Sequence, residues 1–258
     1  MSVLLYSRDL GGAGRPPLVI LHGFLGASRN WQTAGAALAA RFHVRALDLR
    51  NHGRSPHAPE MTYPALVADV LAWLDAQPLA RVTLLGHSLG GKVAMALACR
   101  HPGRVARLIV VDIAPREYPA LAQRTEVAAM NELRLGDLHS RAEAELRMEA
   151  RVPDFALRRF LASSLERDAA GPWRWTINLP VLTAALPELV KSPLGPEEQF
   201  DGPAHFILCG RSHFVRPEDH DLIRRHFPRA ALSTLADSGH NPHLETRAAF
   251  VALVTSDA

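Results

Sequence analysis

The stretch Leu84-Leu85-Gly86-His87-Ser88-Leu89-Gly90-Gly91-Lys92 constrains this chain more than any other. Val82 to Leu85 is a short apolar run of strand character, and Lys92 to Arg100 carries Val93, Ala94, Met95, Leu97 and Ala98 at the density of a buried helix. Between them, Gly86-His87-Ser88-Leu89-Gly90 matches G-x-S-x-G, a tight strand-to-helix turn that exposes a serine hydroxyl. The serine of such a turn sits in a strained backbone conformation. A Cβ two residues before or after it is expected to strike the neighbouring strand or helix. The helix that starts there points free N–H groups and a partial positive charge at any anion formed beside Ser88.

The rest of the chain alternates strands with helices. Pro16-Pro17 leads into Leu18-Val19-Ile20-Leu21, a continuous apolar run of the kind buried on both faces of a parallel sheet. It ends at the turn His22-Gly23-Phe24-Leu25-Gly26, with a helix expected from Trp31 to Ala40. Val44 to Leu47 is a second strand and Tyr63 to Asp75 a helix with Pro64 near its start. Leu108 to Val111 follows the Ser88 unit as a strand and ends at Asp112-Ile113-Ala114-Pro115. The pattern predicts an α/β fold with a mostly parallel, doubly wound sheet, whose ligands bind at the carboxyl ends of the strands.

The alternation then stops. Residues 116–199 contain helical stretches, such as Leu121 to Leu133 and Ser140 to Ala150, with Trp173 and Trp175 in a connecting region and no clear strand. We expect an inserted helical lid over the active-site edge, dividing the chain into a core of residues 1–115 and 200–258 and a lid of 116–199. The sheet resumes at Ala204 to Cys209 and ends at Ala230 to Leu235. Helices are expected at Pro217 to Phe227 and Leu244 to Thr255.

Composition narrows the function classes. The charge of +3 comes mostly from scattered arginines without interleaved aromatics, which argues against a nucleic-acid partner. No apolar run reaches the roughly 18–20 residues of a membrane span, and the first ten residues do not read as a secretory signal. Cys99 and Cys209 lie inside apolar elements and read as buried hydrophobes in a reducing compartment. The expectation is a cytoplasmic protein.

A nucleophilic serine needs a base within hydrogen-bond reach, and the base needs an orienting acid. Of the 13 histidines, His240 follows the last strand on a short turn at the Ser88 edge, so it is the candidate base. His243, three residues on, reads as structural, because a His240/His243 metal pair has no third ligand of suitable spacing. Serine hydrolases of this architecture commonly place the acid after the strand that follows the insertion. Here that position holds Ser212-His213-Phe214 and no carboxylate. Asp112 keeps the order serine, acid, histidine, with Glu218, Asp219 and Asp221 as alternatives. The oxyanion donors are expected to be the backbone N–H groups of Leu89 and Phe24, with Leu25 as the fallback if the turn is shifted by one.

On these motifs the chain resembles the α/β-hydrolases and, more narrowly, the YbfF-like serine esterases. The resemblance rests on His22-Gly23 with Gly26, Asp48 to Gly53 with Ser55-Pro56, Gly86 to Met95, Asp112 to Pro115, Gly210-Arg211-Ser212 with Val215, and Gly239-His240. It implies that Asp112 is the acid, since that subgroup carries it after the earlier strand. The implied function is hydrolysis of a small carboxylic ester or acyl thioester without cofactor or metal. Leu25, Asn51, His52, His87, His213 and Phe214 are candidate substrate contacts, Asn51 and His52 more as builders of their turn. Acyl transfer or perhydrolysis on the same residues, and a non-catalytic ligand receptor of the same fold, stay open. Oligomeric state is not set by these features.

Overall fold

A computed structural model describes residues 1–119, 124–167 and 171–256. In chain order the strands are Ser7–Asp9 (β1), Pro17–Leu21 (β2), His43–Leu47 (β3), Val82–His87 (β4), Val105–Val111 (β5), Leu165–Arg167 (β6), Trp173–Trp175 (β7), Ala204–Cys209 (β8) and Ala230–Leu235 (β9). The helices are Gln32–Leu38 (α1), Tyr63–Ala76 (α2), Leu89–Arg100 (α3), Thr125–Glu132 (α4), Arg141–Arg147 (α5), Phe155–Ala162 (α6), Leu179–Leu189 (α7), Asp219–His226 (α8), Pro242–Glu245 (α9) and Arg247–Thr255 (α10).

The main sheet runs β1-β3-β2-β4-β5-β8-β9, parallel throughout except for β1, which pairs antiparallel with β3. Its strands alternate their apolar side chains between two helix layers. Leu18, Ile20, Leu85, Ile109 and Ile207 pack with Trp31, α1 and α10 on one face. Val19, Leu21, Leu84, Leu108, Val110 and Phe206 pack with α2, α3 and α8 on the other. Burial on both faces explains why these strands read as unbroken apolar runs. The register sets the strand ends level. Gly86 pairs with Val110 and His87 with Val111, and Val111 in turn pairs with Ile207. Ser88 and Asp112 are therefore the first residues past one ladder rung.

Helices α4 to α7 lie between β5 and β8 in sequence. Val127, Met130, Leu161, Leu182 and Leu186 of these helices join the same apolar cluster as the sheet. A smaller cluster of Leu138, Ala144 and Leu165, with Trp173 and Trp175 against it, sits around β6 and β7.

Four features depart from the sequence reading. β1 is an antiparallel edge strand too short to show as a period. Trp173 and Trp175 belong to a two-stranded hairpin, with Leu165 opposite Trp175. The closing helix is broken at Thr246, whose backbone (φ −126°, ψ 44°) separates α9 from α10. Of the helix expected from Leu121, residues 121–123 lie outside the described part of the structure, and α4 occupies Thr125–Glu132. Among the described residues no helix is long and apolar enough to cross a membrane.

Candidate active site

Ser88 stands between β4 and α3 with φ 51° and ψ −116°, a backbone conformation that β-carbon sterics disfavour. Its N–H donates to Val111 O at 3.1 Å, which holds the strained residue against β5. The flanking glycines meet the expected collisions. A Cβ on Gly86 would lie 2.2 Å from Gly90 O, and one on Gly90 would lie 2.3 Å from Leu21 O of β2. The helix thus approaches both its own strand and the next more closely than any side chain allows.

Asp112 is the second residue of this kind. It has φ 51°, is 1% exposed, and donates its N–H to Ile207 O at 2.9 Å. This kink turns its carboxylate toward the end of β8. Oδ1 accepts the Cys209 N–H at 3.1 Å and Oδ2 lies 2.7 Å from His240 Nδ1. Accepting a hydrogen bond there fixes the imidazole as the Nδ1–H tautomer and leaves Nε2 with its lone pair.

Three other contacts hold His240. The Phe214 ring stacks on it, with centroids 3.8 Å apart and planes at 12°. The His87 ring lies 4.7 Å away, and His87 Nε2 donates to His240 O at 2.8 Å. Burial, and then the neighbouring histidines, hold the His87 pKa well below 6.5, so it is a neutral donor. Tyr118 carries the support further back. Its hydroxyl accepts from Ala114 N–H at 2.8 Å and donates to Phe214 O at 2.7 Å.

Phe24 and Leu25 form the corner of the turn closed by Gly26 N–H on Gly23 O at 3.0 Å, with Leu25 at φ 61°. His22 braces this turn from inside. Nδ1 donates to Gly23 O at 2.7 Å and Nε2 accepts from Leu49 N–H at 3.0 Å. Leu89 is the first residue of α3, where a backbone N–H has no helical acceptor.

Three cavities share walls here. One of about 30 Å³ is lined by Phe24, Ser88, Leu89, Ile113, Leu186 and Leu189 among others. A second, of about 60 Å³, touches Gly23, Phe24, His87, Ser88 and His240. The third, of about 590 Å³, touches His240 but not Ser88, and includes His213 and Phe214. Ser88, His240 and Asp112 are therefore gathered at one edge, with His87, His213 and Phe214 on cavity walls.

Leu25, Asn51 and His52 line none of the three, which corrects their reading as substrate contacts. Leu25 is 3% exposed within the apolar core. Asn51, at φ 65°, accepts the Ala58 N–H at Oδ1 (2.8 Å) and accepts from Asn178 at both its backbone carbonyl and Oδ1, so it ties the turn after β3 to α7. His52 donates from Nδ1 to Arg50 O, and burial lowers its pKa to about 3. Arg50 is itself taken up by a buried bidentate pair with Asp69. His243 stacks on Trp31 at 4.1 Å and is neutral, since burial brings its pKa to about 3. Asp219 pairs with Arg116, Asp221 lies beside Arg224, and Glu218 lies beside Arg216, so these alternative carboxylates are engaged elsewhere.

Sequence reasoning missed Lys92. Its ammonium donates to Leu189, Val190 and Lys191 O at 3.3, 3.1 and 2.6 Å, closing the carboxyl end of α7 from the second turn of α3. Burial and then Arg116 pull its pKa down to about 7. A lone lysine in an otherwise apolar helix was the available signal. Among the described residues no cluster of metal-ligating side chains occurs.

Comparison with known proteins places this geometry. Residues 16–246 match the model of the alpha/beta hydrolase fold family. The chain is 36% identical to the sn-1-specific diacylglycerol lipase ABHD11 of Mus musculus over 260 residues, covering 98% of this chain and 84% of that protein. It is 34% identical to esterase YbfF of Escherichia coli K12, covering 89% of this chain and 87% of that one. A solved marine microorganism esterase superposes with a TM-score of 0.94 at 32% identity over 98% of both chains.

Proposed function

Since this chain belongs to the α/β-hydrolase fold family and is a carboxylic ester hydrolase, we propose that it cleaves carboxylic esters or acyl thioesters through an acyl-Ser88 intermediate. The observation that carries the reading is His240. Its Nδ1 is held 2.7 Å from a buried carboxylate while its ring lines the same cavity as Ser88. Nε2 takes the Ser88 proton as Oγ attacks the acyl carbon. The tetrahedral oxyanion is held by the N–H groups of Leu89 and Phe24, each worth about 10²–10³ in rate. His240 then protonates the departing alcohol or thiol, and water attacks the acyl-serine with His240 again as base. Residues 116–199 act as a lid over this edge, α7 being tied down by Lys92 and Asn51.

The test is intact-protein mass after a fluorophosphonate, with turnover of p-nitrophenyl acetate and butyrate on the same samples. A single adduct on the wild type, none on Ser88→Ala, and a turnover loss of about 10⁴-fold or more in that variant are expected. An adduct and undiminished turnover in Ser88→Ala would remove the mechanism.

A further inference from the structure

We propose that the large cleft beyond His240 receives an anionic leaving group, so that the alcohol or thiol released by this enzyme carries a carboxylate or phosphate. This rests on the acyl-serine reading above, because proton chemistry assigns the two sides of the site. When the tetrahedral intermediate collapses, the C–O or C–S bond breaks and its electron pair stays on the leaving atom. That atom takes the proton His240 had accepted from Ser88, so the leaving group departs on the His240 side. The cavity that touches Ser88 and both oxyanion residues without His240 is the acyl side, and its 30 Å³ has room for little more than water. The cavity of about 60 Å³ that touches both Ser88 and His240 holds the breaking bond, and the cleft of about 590 Å³ that shares His240 with it without touching Ser88 takes the rest of the leaving group.

Its wall is cationic. Arg116, Arg211 and Arg216 line it together with Ser212 and His213, over a floor of Tyr118 and Phe214. Each arginine has a carboxylate near it, and none of those carboxylates lines the cleft. Arg116 is fixed in place. Nε lies 2.9 Å from the buried Asp219, the guanidinium stacks 3.9 Å from the Tyr118 ring, and its remaining nitrogens reach Glu117 O at 3.0 Å and Phe214 O at 3.4 Å. Asp219 is further occupied by the Arg216 N–H at 2.9 Å. Arg211 and Arg216 are held loosely, at 3.7 Å from Asp237 and 3.6 Å from Glu218, between side chains that are more than half exposed. Pairs of that kind contribute about 0–1 kcal/mol, so either guanidinium can turn onto a ligand anion at small cost. A planar guanidinium fork matches the oxygens of a carboxylate or phosphate. Ser212 Oγ accepts the Phe214 N–H at 3.2 Å and keeps its own proton for a ligand oxygen. The cleft thus offers two mobile cations and one fixed cation around an aromatic floor, next to the group that releases the product.

The experiment compares acetyl thioesters of 6-mercaptohexanol, 6-mercaptohexanoate and 6-mercaptohexyl phosphate, which share acyl group, reach and thiol basicity. Thiol release is followed at low ionic strength and in about 0.5 M salt. At low salt kcat/KM for at least one anionic thioester should exceed that of the neutral one by about tenfold, and salt should reduce the advantage. The carboxylate and phosphate arms show which anion is preferred. In Arg211→Gln/Arg216→Gln the anionic-to-neutral ratio should fall at least about fivefold, a ratio that partial misfolding does not change. Equal kcat/KM for all three thioesters with Ser88 still labelled by fluorophosphonate would overturn this proposal alone, as would an unchanged ratio in the double variant. No turnover of any thioester and no label would remove the acyl-serine reading along with it.

Discussion

At the scale of single residues, the site is built from backbone that ordinary side chains avoid. Ser88 and Asp112 both take φ 51°, one step past the same ladder rung, and each costs about 1–3 kcal/mol that the hydrogen bonds to Val111 and Ile207 help to hold. Kinking at that point turns a strand-end side chain out of the pleat and toward the edge where His240 lies. Asp112→Asn keeps the shape but offers His240 the wrong hydrogen-bonding partner. We expect kcat to fall by about 10⁴ with the circular dichroism spectrum unchanged. A variant within tenfold of wild type would mean that another group orients the imidazole. Phe214 supports His240 by stacking, so Phe214→Leu should lower kcat by about tenfold through misplacement of the ring. Fluorophosphonate labelling should slow in parallel, because fluoride leaves without using the cleft. Unchanged labelling would make Phe214 a substrate contact only.

At the scale of elements, the Ser88 turn is as tight as it is because α3 lies against β2 without a side chain between them at Gly90. Gly90→Ala places a Cβ 2.3 Å from Leu21 O, and backbone cannot retreat as a side-chain end can. That variant should lose more than about 3 kcal/mol or fail to accumulate as folded protein. Gly136→Ala, whose Cβ would meet nothing within 4 Å, should stay within about 0.5 kcal/mol of wild type. Denaturant midpoints of the two variants check the pair. Equal midpoints would show that the close approach is not what fixes the turn. The inserted elements belong to the same logic. Lys92 of α3 and Asn51 of the turn after β3 hold the two ends of α7.

At the scale of the whole molecule, the buried histidines make stability depend on acid. His52 and His243 are held near pKa 3 by burial, against 6.5 when exposed, and His87 is depressed for the same reason. Between about pH 6.5 and 3 the unfolded chain therefore binds protons that the folded one does not. Stability falls as the pH falls through that window, each group contributing about 1.4 kcal/mol per pH unit. His243→Phe keeps a ring against Trp31 and removes one such group. Its unfolding free energy should fall less steeply from about pH 6 to 4, by up to about 1.4 kcal/mol per unit. Identical slopes in urea titrations would show that His243 is not protonated on unfolding.

The sequence by itself determined the parts whose cause is local. The strand, G-x-S-x-G turn and helix around Ser88, the doubly wound sheet, and the place of His240 just past the last strand are all written in short windows of period and turn chemistry. Tertiary structure alone decided which carboxylate lies beside His240, since Asp112 is 128 positions away and the level ends of β4, β5 and β8 bring the two together. It also turned Asn51 and His52 inward, where Asn51 accepts from Ala58 and Asn178 and His52 Nδ1 donates to Arg50 O. The arginine-lined cleft joins residues 116–119 to 211–216, segments that follow β5 and β8 and lie far apart in the sequence. Side-chain roles at such an edge depend on register between distant strands, and no local window carries that register.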